Sequence, residues 1–258
     1  MAFALVAVAS ASSVDYSQNG HNWNSLLCVN GTRQSPIDIS SSQAIPNSLV
    51  NFWWNYNAIE DVSLVQADNN GSLYIDMSQS SKLNYIDFWN EYGEHFLYYL
   101  SEIRWKVGSE HTIDNTHYSA ELQVVHTQFG TNRQLILSVL FDVNLDILKK
   151  LTKPKTCFID SFEFTNFKQD QGQLVIPLIE FLQYIPQDFY YYRGSINAPP
   201  CSESVSWFVY KTPQIITQDQ LAQLKALVNL PKGNNRDIQA KEQPGSVQRV
   251  VLLPVHPN

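Results

Sequence analysis

The side chains able to do chemistry are few in this sequence, and their spacing excludes several familiar sites. The three cysteines, Cys28, Cys157 and Cys201, include no pair at CxxC spacing. Neither a zinc knuckle nor a thioredoxin-like dithiol is therefore available. In Ser119 to Thr127 the alternation of an extended chain puts Glu121, Gln123 and Val125 on one face, with Leu122, Val124 and His126 on the other. Two tripeptides, Asn30-Gly31-Thr32 and Asn70-Gly71-Ser72, are acceptors for N-linked glycan in a chain that enters the secretory pathway. Basic residues number 17 against 24 acidic ones, for a net charge of −7. No run of Lys or Arg is long enough to track a phosphate backbone, so nucleic acid is not an expected partner.

Short stretches rich in β-branched and aromatic residues must position these groups. They include Ser63 to Gln66, Ser72 to Met77, Phe96 to Trp105, Ser119 to Thr127, Gln134 to Val143 and Ser204 to Tyr210, each bounded by turn-forming residues. Helical spacing is rarer. It predicts helices over Asp142 to Leu151 and over Thr217 to Leu227, the second with Thr217 as N-cap and a stripe of Leu221, Leu224 and Leu227. No repeat, low-complexity segment or linker divides the chain, and 258 residues suffice for one substantial core. A single, mainly β domain is expected over residues 14–258. Residues 1–13 read as a signal peptide, with the apolar run Phe3 to Ala9 followed by small residues. An ordinary N-terminal segment, or part of a longer signal, is the alternative, because the run is short and no Lys or Arg precedes it. No other apolar run approaches the ~20 residues that cross a bilayer. The composition, only 16% charged, suits a secreted or luminal protein.

Four blocks then carry a resemblance. Gln34-Ser35-Pro36-Ile37-Asp38-Ile39 follows Trp23. Gly108-Ser109-Glu110-His111-Thr112-Ile113-Asp114 precedes Tyr118-Ser119-Ala120-Glu121-Leu122. Tyr192-Arg193-Gly194-Ser195 precedes Pro199-Pro200, Glu203 and Val205-Ser206-Trp207, and Asn234-Asn235-Arg236 comes last. In order and spacing these resemble the signature segments of the α-carbonic anhydrase family. The resemblance implies a large, twisted, mostly antiparallel central sheet of about ten strands with short peripheral helices, and a conical cavity reaching the sheet. There, in the family, three histidines hold a catalytic zinc.

At the matching positions this chain has Glu102 and Arg104, the pair before Trp105, and Gln123, two residues after Glu121. The resemblance therefore implies a degenerate zinc site, with no zinc and no other cofactor, and no catalytic residue to name. His111 and His126 match family histidines that do not bind zinc, and His95 and His117 fall outside the expected floor. Glu110 and Glu121 match carboxylates that support the zinc ligands. Asn197 and Ala198 stand where the family has threonines, Leu100 where it has a glutamine, and Ser72 where its fastest members place a proton-shuttling histidine. Carboxylates at 102, 110 and 121 need a cation, which the Arg104 guanidinium supplies unless it points outward into solvent. Relatives also imply a Cys28–Cys201 disulfide. Cys157 is then left over, as a buried thiol beside Phe158 or as an intermolecular bridge.

The function expected is that of an inactive carbonic anhydrase homologue serving as a binding or structural module. Its partner would be a protein or a neutral glycan, docked on exposed aromatics such as Trp53, Trp54 and Tyr190-Tyr191-Tyr192, unless these pack in the core. One alternative is an oligomeric or assembly subunit, extracellular or organellar. Another is a weak or altered carbonate dehydratase.

Overall fold

Strand-forming stretches dominate the sequence, and the fold follows from how they pair. The computed structural model describes residues 14–56, 59–62, 64–67, 72–77, 84–143, 157–162, 164, 174–178, 181–182, 185–239 and 246–252. The N-terminal half holds β1 (Asp38–Ile39), β2 (Ile45–Pro46), β3 (Asn51–Asn55), β4 (Ile59–Val62), β5 (Leu64–Ala67), β6 (Ser72–Asp76), β7 (Tyr85–Trp89), β8 (His95–Val107), β9 (Thr112–Ile113) and β10 (Ala120–Gln128). The remainder holds β11 (Gln134–Asp142), β12 (Leu174–Ile176), β13 (Asp188–Gly194), β14 (Val205–Tyr210), β15 (Gln214–Ile215) and β16 (Gln248–Val251). Helices α1 (Leu26–Asn30), α2 (Cys157–Asp160) and α3 (Gln218–Val228) are short.

Twelve strands make one sheet, in the order β2-β16-β13-β14-β11-β10-β8-β6-β5, with β15 on β11 and the β3–β7 pair on β8. Most neighbours are antiparallel, while β11–β14, β11–β15 and β2–β16 are parallel. The count exceeds the expected ten by the two-residue strands β2 and β15, which are too short to leave a period-two signature. Each expected strand is present within a residue or two at its ends. Thr217 caps α3 as expected, accepting from the Gln220 N–H while the Gln220 side chain accepts from the Thr217 N–H. Of the other expected helix, Asp142 ends β11 and residues 144–151 lie outside the described residues, as do the segment 1–13 and the Asn70 acceptor. Asn30 is described, exposed, at the end of α1. Among the described residues no helix is long and apolar enough to cross a membrane.

Strand β8 is the spine. It pairs with β10 along most of its length, with β7 over its first half and with β6 over its second. At Ser101 the register slips: Leu100 faces His126 and Glu102 faces Val125. The Ser101 hydroxyl bonds the Val125 carbonyl at 3.1 Å and the Thr127 hydroxyl at 2.9 Å, fixing this bulge. Because of it, Leu100, Ile103 and Trp105 all enter the main core, although their numbering breaks alternation. That core joins Trp105, Phe141, Phe158, Phe162 and Phe181 with Leu221 and Leu224 of α3. The opposite face packs Ile37, Val125, Ile136, Tyr192 and Trp207.

Of the two uses open to the aromatics, packing in the core holds for most of them. Tyr190, Tyr191 and Tyr192 are buried and alternate between the two cores, so they form no contact surface. Trp54 also packs partly against the main core, which leaves Trp53, 44% exposed, as the surface aromatic of that group. The Cys28–Cys201 disulfide is present and spans 173 residues. Closing so long a loop stabilises the fold by about 5 kcal/mol in the chain-entropy account. The side chain of Cys157 lies outside the described residues.

His126 is fully buried, with its Nδ1 against the Leu135 carbonyl at 3.1 Å and its Nε2 against the Tyr56 hydroxyl. Burial pushes it down to about 3 from its ordinary 6.5. The unfolded chain thus binds this proton at a higher pH than the folded one. The stability contributed by neutral His126 is complete above pH 6.5 and is lost progressively as pH falls toward 3. Urea midpoints measured between pH 6.5 and 4.5 should fall with a slope approaching about 1.4 kcal/mol per unit, and H126Q should flatten that slope. An unchanged slope in H126Q contradicts the assignment.

Candidate functional site

The antiparallel register of β8 and β10 builds the floor. Arg104 lies opposite Gln123, Lys106 opposite Glu121 and Glu102 opposite Val125. Period two along each strand sends Glu102, Arg104, Lys106, Glu121 and Gln123 to the face opposite the main core. The turn after β8 adds Glu110 and His111, β11 adds Ser138, and the segment after β13 adds Asn197. Glu110, Glu121, Gln123, His111, Ser138 and Asn197 are completely buried. The expected site residues are therefore brought together, within a single hydrogen-bonded web.

Glu121 accepts at Oε1 from Gln123 Nε2 and Ser138 Oγ, both at 2.8 Å, with His111 Nδ1 at 2.9 Å. Its Oε2 accepts the backbone N–H groups of Glu110 and His111, each at 2.9 Å. Burial works to raise the pKa of this carboxyl. The charge and hydrogen bonds of His111 outweigh that and hold it well below the usual range. On its other side His111 Nε2 meets the Tyr192 hydroxyl at 2.7 Å, which donates to Ser35 at 2.9 Å.

Glu110 is equally saturated. Oε2 accepts from Gln123 Nε2 at 2.8 Å and from Asn197 Nδ2, while Oε1 accepts the Arg236 N–H and meets Lys106 Nζ, both at 3.0 Å. Lys106 is 3% exposed. Its other donors go to the Tyr16 hydroxyl at 2.8 Å and the Asn234 carbonyl at 3.1 Å. Burial acts to lower the Lys106 pKa, and the Glu110 charge overcomes it, so the ammonium is retained.

Arg104 forks onto its own strand, giving Nε to Glu102 Oε1 at 2.5 Å and Nη2 to Glu102 Oε2 at 2.8 Å, while Nη1 reaches Asn197 Oδ1 at 3.3 Å. Burial acts to lower its pKa, but the Glu102 charge raises it on balance. The pairing expected of Arg104 thus holds for Glu102 alone; it makes no hydrogen bond to Glu110 or Glu121. The cation for Glu110 is Lys106, which lies one period deeper on the same strand face. Lys106 was the residue missed, and alternation from Glu102 through Arg104 would have exposed it. His95 sits far from the floor, hydrogen-bonded to Asp87 on the β7–β8 surface.

A family model for eukaryotic-type carbonic anhydrases matches residues 18–244. The chain belongs to the eukaryotic-type carbonic anhydrase family. It is 28% identical over 243 residues to carbonic anhydrase 1 of Mus musculus, covering 84% of this chain and 87% of that protein. It is 26% identical over 238 residues to dioscorin DB3L of Dioscorea polystachya, covering 87% and 80% respectively. The solved structure of a halotolerant carbonic anhydrase from Dunaliella salina superposes with a TM-score of 0.71 at 19% identity, covering 92% of this chain and 97% of that one.

Removing the Lys106 ammonium strands Glu110 in the sheet. Replacement of Lys106 by Met should destabilise the protein by about 3–5 kcal/mol, and K106M/E110Q should recover much of that loss. Denaturant unfolding of both variants checks the pair; equal stability of K106M and the parent would refute it.

Proposed function

We propose that this chain is a non-catalytic member of the carbonic anhydrase family, a pseudoenzyme whose floor is stabilised by its own charges and which serves as a binding or structural module. One observation carries the reading: the groups at the three positions matched to the family's zinc ligands are already committed to one another and to their neighbours. A zinc held by neutral imidazoles lowers the pKa of bound water toward 7. Here the donor set does not suit that ion. The Arg104 guanidinium has no lone pair and is cationic. Both Glu102 oxygens accept from Arg104, and Gln123 Oε1 accepts from Asn197 Nδ2 at 2.9 Å. Lys106 sets a second cation beside Glu110. No reaction step is therefore assigned to the floor.

The setting we assign is secretory or extracellular. The Cys28–Cys201 bridge suits an oxidising compartment, and the exposed Asn30 is open to glycosylation. The partner in this reading is a protein or a neutral glycan. Dioscorin DB3L is named in its own right within the family, which favours uses of this fold other than hydration of CO2. A second reading, a subunit of a larger assembly, is favoured by α1. That helix buries none of its residues and exposes Leu26 at 73% and Val29 at 65%. A glycan on Asn30 would stand on the same helix, so its occupancy separates the two readings.

Purified protein should contain no stoichiometric zinc by elemental analysis, and stopped-flow CO2 hydration with added zinc should not exceed the buffer rate. Hydration above buffer that a chelator abolishes would overturn the proposal.

A further inference from the structure

We propose that the outward face of the strands β3, β7 and β8 binds a neutral glycan, whose pyranose rings lie flat on Trp53 and Trp89. The assignment names the partner of the proposed binding module and so rests on that reading. Alternation makes the face. Phe52, Ile86, Phe88 and Tyr98 belong to the main core, so their neighbours along the same strands point the other way. The antiparallel registers set those neighbours in rows across the strands. Asn51, Trp89 and His95 form one row, Trp53, Asp87 and Leu97 the next, and Asn55, Tyr85 and Tyr99 the last.

The rings on this face pack against one another. The Trp53 and Trp89 centroids are 4.7 Å apart, and the His95 imidazole stacks on Trp89 at 4.5 Å with an interplanar angle of 24°. Tyr85 and Tyr99 lie 6.2 Å apart in the last row. Trp53 and Leu97 are 44% and 38% exposed, and Asn51, Asn55 and His95 are exposed beside them. Apolar side chains scattered singly over a surface need no explanation, whereas a contiguous group marks an interaction site. Aromatic residues are the ones such sites favour.

Charge complementarity selects the partner. No Lys or Arg stands in these rows, so a phosphate, a sulfate or a uronate finds no cation here. The one carboxylate, Asp87, is engaged by His95 on the neighbouring strand. An uncharged partner is left. It must also match polar groups, because the exposed side-chain amides of Asn51 and Asn55 flank the rings, each with donors and an acceptor. A pyranose has that pattern. The C–H groups of its flat side carry slight positive charge and suit the negative face of an indole, while its rim of hydroxyls suits the amides. A second copy of this chain fits less well. The rows supply far fewer residues than the about 20–30 a side of a stable protein interface.

The test is titration calorimetry of the intact protein with cellohexaose, a neutral chain of flat pyranoses, beside a galacturonate hexamer as its anionic counterpart. Saturable binding of cellohexaose is expected, with the galacturonate hexamer weaker by about tenfold or more. W53A, at an exposed position, should weaken cellohexaose by about tenfold, and N51A/N55A should weaken it by a smaller factor. The proposal is overturned if cellohexaose shows no saturable binding, if the anionic hexamer binds as well, or if W53A binds cellohexaose like the parent. Should W53A fold poorly, N51A/N55A decides in its place, and unweakened binding there overturns the proposal. Sedimentation velocity covers the other occupant: a dimer that W53A dissolves assigns the face to a second copy and overturns the proposal as well. Zinc content and CO2 hydration are measured separately. Hydration above buffer would sink the non-catalytic reading with sugar binding intact, and absent sugar binding would leave that reading standing.

Discussion

Two carboxylates with no access to water dictate much of this molecule. Glu110 and Glu121 lie under the central sheet with zero exposure, and an ionised carboxylate there is tolerable only when every lone pair has a donor and a cation is near. The chain meets that demand from several directions. Lys106 and His111 supply the charge-bearing contacts, Gln123 bridges the two acids, and two turns donate backbone N–H groups. Much of the surrounding architecture, from the order of β8, β10 and β11 to the placement of Tyr16 and Asn234, reads as the scaffolding for those bonds.

A chain of hydrogen bonds runs from Ser35 through Tyr192 and His111 to Glu121, which in turn accepts from Gln123 at one of the three matched positions. In our reading a divalent ion has been exchanged for two monovalent side-chain cations, one held deep beside Glu110 and one nearer the cavity on Glu102. An amide pair, Gln123 and Asn197, fills the space between them.

The fold was legible in the sequence because its signals are local. Alternation marked β10, a stretch rich in β-branched and aromatic residues marked β11, Thr217 marked the start of α3, and four short blocks in register pointed to the family. The floor was legible in part. The positions of Glu102, Arg104 and Gln123 could be read from their neighbours Trp105 and Glu121, yet which cation met which carboxylate could not. Arg104 has a long side chain with a choice of acids, and only the cross-strand register and the bulge at Ser101 decide that it turns to Glu102.

The bond between Cys28 and Cys201 reaches further than the two loops it joins. The Cys28 carbonyl accepts from Arg236 Nη2, whose backbone N–H serves Glu110, and Cys201 ends the short segment that carries Asn197. One covalent strap therefore keeps two walls of the charged interior in registration. A molecule assembled where thiols stay reduced would have to maintain that alignment by packing alone, so cellular redox conditions bear on how rigid its polar centre is.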